Sequence, residues 1–260
     1  EDGRQALEAL RSRLAAPVLE QLRDRGVSAL ILCADPRVGQ LPLNALFETA
    51  GADPGLRRVT RLPYASQLDV PARETPLPRT LAAEATARAY PPVAGLLEAW
   101  TAKGGVAGET PDPEGLWLLA PVLHQLAPDP LFCRLSMDPD GAGGVTTARL
   151  LRDRPWEAGI LLMAWRPADP DDTAIRSDWV PLLYEAARGS GGSALLLPDW
   201  QTHPETAAAF YTALGGLLGQ YALPEAVARA REAVRQARPD DGGWLAFSCW
   251  GTEGIPRPAS

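Results

Sequence analysis

Histidine and cysteine, the side chains of a thiol–imidazole pair, are scarce in this sequence. The chain has two histidines, His124 and His203, and three cysteines, Cys33, Cys133 and Cys249. A serine or cysteine nucleophile needs a base within hydrogen-bond reach, so any such pair must use one of these histidines. His203 comes just before a helical pattern, which predicts a surface or helix-capping residue. The choice of histidine for a Ser–His or Cys–His pair is therefore limited to these two positions.

The cysteines have the pattern of buried thiols. Each lies inside an apolar run, and their number is odd. The sequence has neither a Cys-x-x-Cys pair nor two histidines at metal-ligand spacing. We therefore expect free buried thiols in a reducing compartment, and we expect no structural metal.

Motifs that would hold a phosphate, a dinucleotide or calcium are also missing. The sequence contains no GxxxxGK[ST] loop, no GxGxxG after its first predicted strand and no GxSxG elbow. The acidic stretch 166–172 lacks the spacing of a calcium loop and is predicted to be a solvated loop. The glycine-rich turn 189–192 lacks the lysine that follows a phosphate loop. No cofactor is expected.

Composition and charge exclude several classes of protein. The 260 residues carry a formal net charge of −7, and 46% are hydrophobic, as in ordinary globular proteins. The sequence has no run of about 18 apolar residues, so no membrane span is predicted. The charged first residues do not resemble a signal peptide. Because no Lys/Arg cluster occurs, nucleic acid is not an expected partner. We expect one domain over residues 1–260, taken from a longer polypeptide. Its opening helix, 4–24, belongs to the domain or links it to an upstream segment.

Buried apolar runs alternate with helical patterns along the chain. This alternation predicts a mostly parallel sheet with helices on both faces. Pro17 predicts a kink, or two abutting helices, within the opening helix. The predicted strands are 27–33, 57–62, 116–122, 131–136, 159–165, 193–197 and 244–250. The predicted helices are 4–24, 41–49 as a short one, 79–89, 93–103, 146–152, 178–188, 204–215 and 224–237.

Ligands of open α/β sheets lie at the carboxyl ends of the strands. The candidate positions therefore follow Cys33, Val122, Trp165, Leu197 and Trp250.

Several stretches in this order resemble the CHAT domain, a caspase-like cysteine peptidase family. Residues 30–46 resemble the family's strand, Asp-containing turn and Leu-Pro-x-x-Ala-Leu segment, and 62–66 resemble its strand ending in Pro-Ser. Residues 129–135 resemble its Asn-Pro-Leu-x-Ser-x-Leu, and 193–211 resemble its strand, turn and Phe-Tyr helix. Residues 224–251 resemble its last helix and strand. The resemblance covers nearly the whole chain.

The resemblance implies a three-layer α/β/α sandwich, caspase-like, with a mostly parallel sheet. It also implies a cytoplasmic protein of bacterial-type signalling or defence. Its partner would be another protein or another domain of the same polypeptide, with neither nucleic acid nor membrane involved.

The catalytic positions of the family are not kept here. The family's nucleophile stands in Ser-Ala-Cys, and the matching residues are Met163-Ala164-Trp165, so Trp165 replaces the cysteine. The position of the family's histidine base falls on Val122. An indole and an isopropyl group can neither attack a carbonyl nor relay a proton. The resemblance therefore implies a pseudopeptidase, an interaction or regulatory module with no catalytic residues.

Two alternatives stay open. A loop shortened by two residues would bring His124 to the base position, and Cys133 would then complete a relocated dyad of an active cysteine endopeptidase. Alternatively, the cleft at Trp165 and Arg166 binds a small ligand, with the indole as a stacking platform. Arg166 and Asp199, after adjacent predicted strands, would form a polar rim or a surface ion pair.

Overall fold

A computed structural model of the chain describes it in segments. These segments are residues 2–34, 38, 41–47, 58–63, 80–82, 84–108, 117–119, 122–124, 129–132, 134–136, 144–153, 160–162, 164–166, 180–189 and 194–251. They contain both helices and strands, so the protein belongs to the mixed helix and sheet class. None of the helices in these segments combines the length and the apolar character that a bilayer crossing requires.

The helices of the described segments are mostly short. They are α1 (Asp2–Leu10), α2 (Ala16–Asp24), α3 (Leu43–Phe47), α4 (Glu84–Ala89), α5 (Ala94–Thr101), α6 (Thr147–Asp153), α7 (Val180–Gly189), α8 (Pro204–Leu217) and α9 (Leu223–Ala237). Turns of 3-10 helix cover Pro91–Val93, Pro130–Phe132 and Gly242–Ala246.

The strands of the same segments have two to five residues each. They are β1 (Ala29–Cys33), β2 (Arg58–Leu62), β3 (Thr80–Ala82), β4 (Val106–Gly108), β5 (Trp117–Leu119), β6 (Val122–His124), β7 (Arg134–Ser136), β8 (Val145–Thr146), β9 (Ile160–Leu162), β10 (Ala164–Arg166), β11 (Ala194–Pro198) and β12 (Phe247–Gly251).

The opening helix is interrupted as Pro17 predicts. A π-helical turn, Arg11–Ala15, separates α1 from α2, and the N–H of Ala16 donates to the carbonyl of Arg11. In a regular helix the ring of Pro17 would clash with the carbonyl of Arg13, and Pro17 has no N–H to donate to it. A wider turn before the proline removes this conflict, so the predicted break is confirmed.

The large sheet has eight strands in the order β1-β2-β12-β11-β9-β5-β3-β4. Every neighbouring pair is parallel except β11 with β12. The sheet therefore consists of two parallel halves that run in opposite directions and meet at β11 and β12. The prediction of a mostly parallel sheet is confirmed.

A second, small sheet has the order β10-β6-β7-β8. The predicted strands 116–122 and 159–165 each divide between the two sheets: β5 and β9 pair in the large sheet, whereas β6 and β10 pair in the small one. Pro121 stands between β5 and β6 in the sequence, and a proline cannot donate to a ladder. The prediction of two unbroken strands is wrong.

Three other element predictions fail where tertiary pairing overrides local propensity. Residues 80–82 were expected to be helical but form β3, which is flanked by β4 and β5 and buries Leu81 completely. Residues 106–108 were expected to be a loop but form the edge strand β4. Residues 244–246 were expected to begin the last strand but belong to a 3-10 turn.

Apolar clusters cover both faces of the sheet where β2 meets β12. On one face, Phe247 and Cys249 pack with side chains of α5, α8 and α9. On the other face, Val59 packs with Ala15, Leu19 and side chains of α3. Alternation along β2 puts Arg61 on the same face as Val59.

Candidate functional site

Trp165 and Val122 lie on neighbouring strands of the small sheet. β10 runs parallel to β6, and the register pairs Ala164 with Val122 and Trp165 with Leu123. The two strands are therefore side by side, but the two positions are offset by one residue. Because successive residues of a strand belong to opposite faces, Trp165 and Val122 belong to different rows of this sheet.

His124 lies on the central strand pair of the same sheet. Its register partners are Arg166 on β10 and Arg134 on β7. Cys133, the proposed nucleophile of a relocated dyad, precedes Arg134 in the sequence and lies outside the described residues. A pair of His124 and Cys133 therefore stays a prediction.

Asp199 follows β11 and is buried. Its exposed fraction is 5%, and its Oδ2 lies 3.4 Å from Nη1 of Arg61 on β2. The hydroxyl of Ser248 on β12 donates to the same oxygen, and the Arg61 guanidinium also donates to Ser248 Oγ over 3.4 Å. The expectation that Asp199 lies at the surface is wrong, because its ion pair is formed inside the fold. Whether Asp199 contacts a ligand stays a prediction.

The burial of this pair shifts both of its pKa values. Burial raises the pKa of Asp199 to about 6, and Arg61, the Ser248 hydroxyl and Arg231 offset part of that rise. Burial lowers the pKa of Arg61, and Asp199 opposes that change. The Arg61 guanidinium also lies over the Trp250 ring, 4.1 Å from its centroid. We call Arg61, Asp199, Ser248 and Trp250 the seam cluster.

The seam cluster is closed to substrates. A hydroxyl that donates to a carboxylate with a pKa near neutrality has the parts of a nucleophile and a base. However, Arg61 and Ser248 are each 1% exposed, so no reacting group can approach them. The cluster therefore stabilises the junction of β2, β12 and β11.

Asn44 on α3 links β2 to β12 on the face of the sheet that carries Val59. Its Nδ2 donates to the carbonyl of Val59 on β2 over 2.9 Å and to that of Cys249 on β12 over 3.4 Å. Asn44 Oδ1 and Trp250 Nε1 are buried and have no hydrogen-bond partner within the part of the chain that the structure describes. The bridging role of Asn44 explains why a polar side chain is fully buried there.

The start of α8 is held by a carboxylate. The residue before α8 is His203, which makes no side-chain cap and is exposed. The surface position predicted for His203 is confirmed. The Thr206 hydroxyl donates to Asp241, and the N–H of Gly243 donates to the same carboxylate over 2.8 Å. These bonds fix the start of α8 to the turn before β12.

The two described cysteines differ in exposure. Cys249 is buried in the apolar cluster of α8 and α9, as expected. Cys33, at the end of β1, is exposed, so the expectation of a buried thiol is wrong there. Partial burial raises the pKa of the Cys33 thiol, which makes it a weaker nucleophile near neutral pH.

Neither a family model nor a curated protein matches this chain. Across the segments that the structure describes, no three His, Cys, Asp or Glu side chains are grouped so that they could hold a metal ion.

Three residues of the buried junction were missed in the sequence, Arg61, Ser248 and Asn44. Arg61 stands in an alternating strand pattern, where a charged residue is normally assigned to a solvated face. Asn44 lies in the Leu-Pro-x-x-Ala-Leu stretch, and this position is only a weak indication that its side chain is buried. No local signal marks Ser248.

Proposed function

We propose that this chain is a CHAT-like domain without peptidase activity, which works as a protein-interaction or regulatory module in the cytoplasm. The proposed architecture is the three-layer, caspase-like α/β/α sandwich. The mostly parallel sheet and the apolar clusters on both faces of β2 and β12 are consistent with it.

The observation that carries the proposal is the pairing of β10 with β6. In the resemblance, the nucleophile and the base stand on neighbouring strands, and the strands that bear Trp165 and Val122 are hydrogen-bonded neighbours. The two positions hold an indole and an isopropyl group. Neither group can attack a carbonyl or relay a proton.

Restoring the missing groups tests the proposal. We expect no cleavage of a fluorogenic casein substrate by the unmodified chain or by Trp165→Cys, because neither has a base beside the thiol. Because residues 165 and 122 belong to opposite faces of the sheet, Trp165→Cys with Val122→His is expected to give no cleavage either, and it is the control. Trp165→Cys with Leu123→His puts the imidazole on the register partner of residue 165, and this variant is expected to give measurable cleavage that iodoacetamide abolishes.

Cleavage by Trp165→Cys alone would contradict the assignment of the base to position 122. Cleavage by the unmodified chain that is sensitive to iodoacetamide would overturn the pseudopeptidase proposal itself.

Thiol labelling separates the proposal from an active endopeptidase. With no activated dyad, we expect iodoacetamide to label Cys33 at a slow rate near neutral pH, and to leave Cys249 unlabelled until the protein is denatured. His124→Ala should leave these rates unchanged. Fast labelling of Cys133 that disappears in His124→Ala would favour the relocated dyad instead.

A further inference from the structure

The register of the small sheet places three basic residues side by side. Arg166 on β10 pairs with His124 on β6, His124 pairs with Arg134 on β7, and Arg134 pairs with Thr146 on β8. We call Arg166, His124 and Arg134 the basic row. No acidic residue occupies a position in this row. Like charges on neighbouring strands destabilise a sheet unless an opposite charge accompanies them.

The alternate row of the same sheet is apolar. It consists of Trp165, Leu123, Leu135 and Val145, as the same ladders show. Leu135 is fully buried and Val145 is 8% exposed. Neighbouring rows belong to opposite faces of a sheet, so the basic row belongs to the face opposite to this apolar one.

The described end of the basic row is accessible. Arg134 is exposed, and it forms no ion pair within the part of the chain that the structure describes. Ser136, two residues further along β7, is buried. Along β7, the accessible end of this face is therefore the one that carries Arg134.

We propose that the basic row binds an extended acidic segment of a partner protein. The row crosses three strands, so its ends are about 10 Å apart, a distance over which an extended peptide presents successive carboxylates and a single small anion does not. Two guanidinium groups fit carboxylates in bidentate geometry, and His124 supplies a further donor between them. This inference rests on the proposed interaction function and names the chemistry of the partner.

Peptide binding to the full chain tests the inference. The probe is a fluorescein-labelled hexaglutamate peptide, with hexaglutamine as its uncharged control, measured by fluorescence anisotropy at low ionic strength. We expect the hexaglutamate alone to bind, and its affinity to fall with added salt. Arg134→Gln is expected to weaken binding about threefold to fivefold, and Arg134→Gln with Arg166→Gln about tenfold or more.

Arg152→Gln is the matched control. It removes the same charge from an exposed arginine on α6 that is paired with Asp153, so hexaglutamate affinity should not change. An equal loss of affinity in Arg152→Gln would indicate a general charge effect and would overturn the proposal. So would the absence of hexaglutamate binding, or inorganic phosphate that displaces the peptide as well as unlabelled hexaglutamate does.

The chain's own acidic loop is the competing occupant. Asp169, Asp171 and Asp172 follow Arg166 in the sequence and lie outside the described residues. If the basic row is free for a partner, changing these three aspartates to asparagine should leave hexaglutamate affinity within about twofold. Binding that appears only in this variant would show that the loop occupies the row. Casein cleavage is measured on the same samples, so loss of the pseudopeptidase proposal is distinguishable from loss of this one.

Discussion

The seam cluster contains a buried ion pair, whereas the basic row contains an exposed arginine. In the seam cluster, Arg61 and Asp199 are buried together and paired with Ser248, and their pKa values are shifted by burial. In the basic row, Arg134 is exposed without an ion pair among the described residues. Perturbed titration alone would select the seam cluster as the functional site. Its closure to solvent indicates a role in the fold, whereas Arg134 on the small sheet is exposed.

The largest expected effect is the loss of one partner of the seam cluster. Arg61→Met leaves the Asp199 carboxylate buried without its cation, which should lower the free energy of unfolding by about 3 to 5 kcal/mol at pH 7.5. Urea unfolding followed by circular dichroism measures the change. Arg152→Met, which breaks an exposed pair, should leave the free energy of unfolding nearly unchanged. Similar losses for the two variants would show that the seam cluster is no more important than a surface pair.

The pH dependence of stability should be specific to the seam cluster. Because the folded pKa of Asp199 is about 6 and its ordinary value is 3.8, the folded state holds the proton more tightly than the unfolded state. The stabilisation that this proton gives is complete below about pH 4 and is lost as the pH rises through 6. Over that interval the unmodified chain should lose about 3 kcal/mol relative to Asp199→Asn.

Urea unfolding of both proteins at several pH values between 4 and 7.5 checks this expectation. Other carboxylates contribute equally to the two chains, so the difference between them isolates Asp199. A difference that does not change with pH would mean that Asp199 titrates like an exposed carboxyl. The seam cluster would then not differ from the small sheet in having a carboxyl whose pKa is shifted by burial.

A smaller effect should come from the helices that cover the large sheet. A Cβ at Gly215 on α8 would lie 2.5 Å from the carbonyl oxygen of Leu96 on α5, whereas a Cβ at Gly216 meets nothing within 4 Å. Gly215→Ala should therefore destabilise the protein by about 1 to 3 kcal/mol. Gly216→Ala should stabilise it by up to about 1 kcal/mol, since alanine favours a helix. Thermal unfolding measures both, and equal shifts would contradict the close packing of α5 and α8.

Patterns within the sequence predicted the long elements well. Pro17 interrupts the opening helix as expected, and α8 and α9 lie within about two residues of their predicted bounds. Periodic apolar residues and prolines act over a few turns, so the sequence displays them directly. The strand predictions failed where pairing with other strands determined the secondary structure. Leu81 is in a strand because β4 and β5 flank it.

The candidate site was predicted less completely than the fold. The strands that carry Val122 and Trp165 are paired, and the offset of these two residues by one position depends on register, which no local pattern encodes. The basic row was missed because its three members come from three strands. In the sequence these three basic residues are far apart, and only the pairing of the strands places them side by side.

The sequence by itself determined the mixed class of the fold, the mostly parallel sheet and the scarcity of histidine and cysteine, because composition and short-range periodicity express these properties. Only the tertiary structure decided that Asp199 is buried. Arg61 and Ser248 are separated in the chain from Asp199 by 138 and 49 residues. The environment of a charge is set by the groups that folding brings within a few ångströms of it, and most of those groups are distant in sequence.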